Sequence, residues 1–111
     1  MTKKLKGFEM IQEIGFVEVL AGREAEFEAA VKVAASTVLK RSHGFQGFQL
    51  HRGIERPGVY TFTLLWDTLE DHTIGFRESS LFAEWRAIIG PFFVNPPTVE
   101  HWTPLWELPR S

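Results

Sequence analysis

Residues 59–66 constrain the fold more than any other stretch, because this predicted β-strand contains no charged residue. Successive side chains of a strand point to opposite faces. Large apolar side chains occupy one face, and apolar side chains alternate with threonines on the other: Tyr60, Phe62, Leu64 and Trp66, then Val59 and Leu65 with Thr61 and Thr63. A strand that lacks a polar face is expected to be covered on both sides. We therefore expect a sheet with packed side chains on each face.

The remaining periodicities predict the elements around this strand. They comprise strands at 11–20, 45–52 and 98–106, a helix at 23–42, and two short helices at 69–76 and from Ser79 or Ser80 to Ile89. The order β-α-β-β-α-β predicts an α+β, ferredoxin-like fold with an antiparallel sheet. A chain of 111 residues is expected to form a single domain, 1–111, with a flexible N terminus at 1–9 and a C-terminal arm at 103–111.

The predicted helices can cover only one face of the sheet. Aromatic residues make up 14% of this short chain, and its second sheet face is not clearly polar. Apolar surface of that extent is expected to be buried against another chain or a ligand. The simplest solution is a second copy that packs sheet against sheet, so the sequence predicts a homodimer that forms an α+β barrel.

Composition disfavours several classes of function. The net charge is −2, and the only basic cluster is the short run of lysines at 3, 4 and 6, which argues against a nucleic-acid surface. The chain contains no cysteine, so disulfides and thiol chemistry are excluded. No apolar run is long enough for a membrane span or a signal peptide, and we therefore expect a cytoplasmic protein without a membrane partner.

The segment 66–85 carries the best candidates for chemistry, because it combines aromatic rings with one titratable imidazole. Trp66 and His72 are the candidate catalytic residues, while candidate ligand contacts come from the same segment and its neighbours: Phe62, Phe76, Trp85, Arg77 and His101. Each also has a purely structural interpretation, such as core packing for the tryptophans or a surface ion pair for Arg77. For His101, that alternative is packing or a dimer contact.

The chain resembles the antibiotic biosynthesis monooxygenases, a family of dimeric α+β barrel proteins. The resemblance covers roughly 14–102 and rests on GREAEF at 22–27, GFQGF at 44–48, LHR at 50–52, LWD at 65–67, EDH at 70–72, Ser79, Phe82 and VEH at 99–101. It implies a homodimer with an apolar pocket between sheet and helices in each subunit. It also implies a cofactor-independent oxygenase of a small aromatic, quinol-type or polyketide substrate, in which Trp66 and His72 line the pocket.

In that hypothesis His72 is a base or orienting group, Trp66 is a stacking wall, Trp85 and Phe62 shape the cavity, and Arg77 is an anion partner. The alternatives are a non-catalytic dimer that binds a small apolar ligand, or a haem-binding or haem-degrading protein. The haem degraders and the anthrone oxygenases of this family both use an Asn in the pocket, and in the haem degraders it lies on the first strand. Here the first strand has Gln12 and Glu13, and the only Asn of the chain is Asn95, in the loop before the last strand. No metal site is predicted, because the histidines lack the close spacing of metal ligands.

Overall fold

A computed structural model describes residues 10–110, and it confirms the predicted α+β fold. The strands are β1 (Ile11–Glu18), β2 (Phe45–Arg52), β3 (Val59–Trp66) and β4 (Thr98–Trp102), and the α-helices are α1 (Glu24–Thr37) and α2 (Ser80–Ile89). The four strands form one sheet in the order β2-β3-β1-β4, and every neighbouring pair is antiparallel. This order places β1 and β3 in the centre, as expected for a strand without a polar face.

Three elements end earlier than the sequence predicts. Helix α1 stops at Thr37 and gives way to a 3-10 turn at Leu39–Arg41, because Ser36, Thr37 and Val38 are poor helix formers. Strand β1 ends at Glu18, and only an isolated bridge follows it. Strand β4 ends at Trp102 rather than at residue 106, because Pro104 has no N–H for a ladder hydrogen bond.

Helices α1 and α2 cover one face of the sheet, which we call the inner face. On β3 the alternation is strict, with the four large side chains at 60, 62, 64 and 66 buried and their neighbours only partly covered. Phe27 and Val31 of α1 pack into this inner core and are inaccessible to solvent or nearly so. The outer face carries apolar side chains that stay half exposed, among them Phe16 and Trp102 at 43% and 50%.

The predicted short helix at 69–76 is present, and its residues Asp71–Phe76 form a π-helical turn. Its position depends on Gly44, which has a φ of +81° and lies directly against the Asp71 side chain. A β-carbon at residue 44 would collide with Asp71, so only glycine suits both the backbone and the contact. The turn directs His72 and Phe76 into the core, where both are buried.

The two predicted terminal segments differ in what the structure describes. The N-terminal segment 1–9 lies outside the described residues. Residues 103–110 of the predicted C-terminal arm have no regular secondary structure and expose three large apolar side chains, Leu105, Trp106 and Leu108. Within residues 10–110, no helix has both the length and the apolar character needed to cross a membrane.

Candidate functional site

A cavity of about 480 Å³ opens between the inner face of the sheet and α2. Five aromatic rings contribute to its wall: Phe62, Phe76, Phe82, Trp85 and Phe93. The polar side chains that line it are few: Glu13, His72, Arg77, Arg86 and Asn95. An apolar cavity with a small number of polar groups is the usual form of a small-molecule site.

Glu13 is the carboxylate at the inner wall of this cavity. It lies on β1 in phase with Val17, so its side chain points to the inner face, and the residue is only 6% exposed. The indole N–H of Trp66 donates a hydrogen bond of 2.9 Å to Glu13 Oε1. This donor comes from the far end of β3, and the antiparallel β1–β3 register brings it beside Glu13.

Burial changes the acidity of Glu13. It raises the pKa of this carboxyl from 4.5 to about 7, although the hydrogen bond from Trp66 and the charge of Arg77 oppose the effect. A group with a pKa near neutrality can both accept and release a proton at physiological pH. Glu13 is therefore suited to general acid–base chemistry.

His72 joins Glu13 to a second imidazole. Its Nε2 lies 3.3 Å from Glu13 Oε1, and its Nδ1 is 2.8 Å from Nε2 of His101. Burial, with smaller effects of His101 and Arg77, lowers the pKa of His72 to about 4, so the ring is neutral at pH 7. A neutral ring with its proton on Nε2 faces the carboxylate and leaves Nδ1 to accept from the N–H of His101.

Trp66 packs against Glu13 and His72 on the side away from the cavity. It is fully buried and is not among the residues that line the cavity. Its ring stacks on His72 at a centroid distance of 5.3 Å. The predicted role as a stacking wall for a ligand is therefore not what the structure provides, because the indole contacts Glu13 and His72 instead.

The other predicted site residues divide into two groups. Phe62, Phe76, Trp85 and Arg77 all line the cavity, as does His72. His101 does not line it; this residue lies on strand β4 and connects to the site through its hydrogen bond to His72. Within residues 10–110, no group of three or more acidic or imidazole side chains is arranged to hold a metal ion.

Sequence reasoning did not place Glu13, Arg86 and Asn95 in the cavity. The signal for Glu13 was present in the alternation of β1, because residue 13 shares the face of the buried Val17 and Val19. A glutamate side chain is almost never fully buried unless it is paired. The positions of Arg86 and Asn95 depend on how α2 and the loop before β4 close over the cavity, and no local pattern indicates this.

The fold and site are those of a small α+β protein with a largely apolar cavity that contains a buried carboxyl group. The sequence profile of the antibiotic biosynthesis monooxygenases matches residues 10–88. Because this match covers well over half of the chain, the protein belongs to the antibiotic biosynthesis monooxygenase family.

Several known proteins are similar to it. The uncharacterized protein YczJ of Bacillus subtilis strain 168 is 38% identical over 92 residues, which cover 83% of this chain and 96% of YczJ. A crystal structure from Bordetella bronchiseptica that carries the family name is 43% identical, with a TM-score of 0.84 over 88% of this chain and 99% of that one. SnoaB, a cofactor-independent oxygenase from Streptomyces nogalater, shares the fold with a TM-score of 0.76 over 92% of this chain and 99% of SnoaB, at 18% identity.

Proposed function

We propose that this protein is a cofactor-independent monooxygenase of a small aromatic, quinol-type or polyketide substrate, with Glu13 as the general base. The observation that carries the proposal is a carboxyl with a pKa of about 7 at the inner wall of a largely aromatic cavity. Family membership supports the reaction class, and the fold shared with SnoaB supports oxygenation without a cofactor.

For an anthrone, the reaction begins at the acidic C–H of the methylene group on the electron-rich aromatic system. Glu13 takes the proton, and the carbanion transfers one electron to O₂. The resulting radicals combine to form a C–O bond, and a proton then completes a hydroperoxide. Loss of water across this group gives a ketone, so the substrate supplies all four electrons that reduce O₂ to one carbonyl oxygen and one water.

Trp66, His72 and His101 position Glu13 in this scheme. The Trp66 N–H fixes one carboxylate oxygen, and the neutral His72 ring lies 3.3 Å from the same atom. The His101 bond to His72 restricts the orientation of the imidazole. Preorganised neutral partners of this kind hold a base in place. A contact with a lysine or an arginine would instead neutralise its charge.

Oxygen consumption tests the proposal. Purified protein is mixed with a panel of anthrones and hydroquinones, without added flavin, haem or metal, and O₂ uptake is followed with an electrode. We expect uptake above the spontaneous rate with at least one compound and its loss in Glu13→Gln. Glu28→Gln is the matched control, because Glu28 lies outside the cavity. If the wild type binds these compounds but consumes no O₂, the protein is a non-catalytic ligand-binding member of the family.

We also propose that the protein acts as a homodimer through the outer face of the sheet. Phe16 and Trp102 are half exposed on that face, and the arm at 103–110 exposes further large apolar side chains. Light scattering at micromolar concentration should give twice the mass of the 12.7 kDa chain. Phe16→Glu should yield a monomer, whereas Ile54→Glu, an exposed apolar position in a turn, should leave the dimer intact. A monomeric wild-type protein would contradict the proposed dimer.

The cytoplasmic location of the protein remains a prediction.

A further inference from the structure

Two arginines line the cavity although both are largely exposed to solvent. Arg77 follows the π-helical turn, and Arg86 lies on α2. The Arg86 guanidinium sits 5.7 Å from the centre of the Phe82 ring, which also lines the cavity. Residues that contact both solvent and the cavity must lie where the cavity opens. The two cations therefore mark its mouth.

Neither cation forms a salt bridge with a residue in the range 10–110. Among the arginines that do not line the cavity, Arg23, Arg41 and Arg52 each lie within salt-bridge distance of a glutamate, whereas Arg56 has no such partner among residues 10–110. In the same part of the chain, no carboxylate lies that close to Arg77 or Arg86. The guanidiniums at the mouth are thus available to an anionic ligand.

The charge of Arg77 also affects the buried polar groups inside the cavity. Burial is the main influence on the pKa values of Glu13, His72 and His101, but the charge of Arg77 lowers all three. This shared effect indicates that the Arg77 guanidinium is near enough to act on the whole polar cluster. An anion near Arg77 at the mouth of the cavity would be attracted by the same charge.

We propose that the ligand of this cavity is an aromatic carboxylate, whose ring packs among Phe62, Phe82 and Trp85 and whose carboxylate pairs with Arg77 and Arg86. The proposal rests on the proposed function in one respect, because it orients the reactive ring carbon toward Glu13. Repulsion between the two carboxylates favours this orientation, with the ligand acid at the mouth and the ring inside. The carboxylate therefore determines both selectivity and direction of binding.

The test compares two ligands of the same shape that differ in charge. 2-Naphthoate and its neutral amide, 2-naphthamide, are titrated into the wild-type protein by calorimetry. We expect the acid to bind about tenfold more tightly, as for one charge-assisted hydrogen bond gained at a partly exposed site. The double variant Arg77→Gln/Arg86→Gln should lose this preference. The control Arg52→Gln removes a cation outside the cavity and should keep it.

Three results would overturn the proposal: equal affinity for the acid and the amide, a preference that persists in the double variant, or no binding of naphthoate at millimolar concentration. Neither probe has to react, so the outcome is independent of oxygenase activity. An inactive protein that prefers the acid supports the ligand class alone. A protein that oxidises neutral substrates and shows no preference for the acid retains the proposed function and loses this inference.

Discussion

At one end of β3 the Tyr60 hydroxyl donates to Glu28 at 2.5 Å, and at the other end the Trp66 indole donates to Glu13 at 2.9 Å. Each strand end therefore pairs a buried aromatic donor with a carboxylate. The surroundings differ. Glu28 is partly exposed and lies 3.5 Å from the Arg52 guanidinium, whereas Glu13 is buried and faces a cavity.

The difference separates a structural contact from a candidate reactive one. The Glu28 end has water and a cation to stabilise its charge, and it closes the apolar core around Phe27. At the Glu13 end, an ionisable group is buried where its charged form is disfavoured. This burial has a free-energy cost that an apolar side chain at the same position would avoid. Perturbed groups of this kind concentrate at functional sites. The comparison thus supports a reactive role for Glu13.

The largest expected effect separates the two carboxylates by activity. Glu13→Gln should lower the rate of O₂ consumption by roughly 100-fold or more, the usual contribution of a general base. Glu28→Gln should leave that rate within about twofold, since a surface contact away from the cavity contributes little. Both rates are measured with the best substrate of the panel. Similar losses in the two variants would end the distinction between the two strand ends.

The next effect is on stability as a function of pH. The raised pKa of Glu13 means that the folded state binds its proton more tightly, so this contribution is complete below pH 4.5 and is lost as pH rises through about 7. The lowered pKa of His72 acts oppositely: its contribution is complete above pH 6.5 and is lost as pH falls through about 4. Between about pH 4.5 and 6.5 the Glu13 contribution falls as pH rises while the His72 contribution grows, so the two changes in stability offset one another.

Single variants should reveal each contribution separately. Relative to wild type, stability of Glu13→Gln should rise with pH between about 4.5 and 6.5, and stability of His72→Gln should fall over the same range. Each divergence can reach about 3 kcal/mol, the free energy that corresponds to the two pKa changes. Urea unfolding at half-unit pH steps measures it. Curves that stay parallel to wild type would show that neither group has a perturbed pKa.

A smaller effect compares the two aromatic donors. Trp66→Phe removes the N–H that lowers the pKa of Glu13, so the midpoint of the pH–rate profile should move to higher pH and the rate at pH 7 should fall by up to about tenfold. Tyr60→Phe removes the donor at the other end. It should cost about 1 kcal/mol of stability and leave the profile in place. A shift of the pH–rate profile in Tyr60→Phe would contradict the distinction between the structural end of β3 at Tyr60 and the reactive end at Trp66.

The smallest effect concerns the Arg52–Glu28 pair. Both side chains are substantially exposed, so Arg52→Gln should change the free energy of unfolding by no more than about 1 kcal/mol. Thermal unfolding at low and high salt measures the change, which should vanish as salt screens the charges. A large, salt-independent loss would mean that this strand end is as sensitive as the buried one.

The sequence predicts elements better than it predicts the site. Alternation on β3 and the stripe at Phe27 and Val31 identify strands and helices because each side-chain period belongs to one backbone geometry. The same reasoning places His72 after β3 and identifies Phe62 as an inward ring. It does not identify Glu13 as reactive, because its partners Trp66 and His72 lie 53 and 59 positions further along the chain.

By itself, therefore, the sequence determined the fold class, the element order and the family. Only the tertiary structure decided that Glu13, Trp66, His72 and His101 meet. Their meeting depends on the β1–β3 and β1–β4 registers and on the π-helical turn seated against Gly44. A slip of one residue in either register would turn these side chains to the opposite face, and this long-range pairing is not encoded in local periodicity.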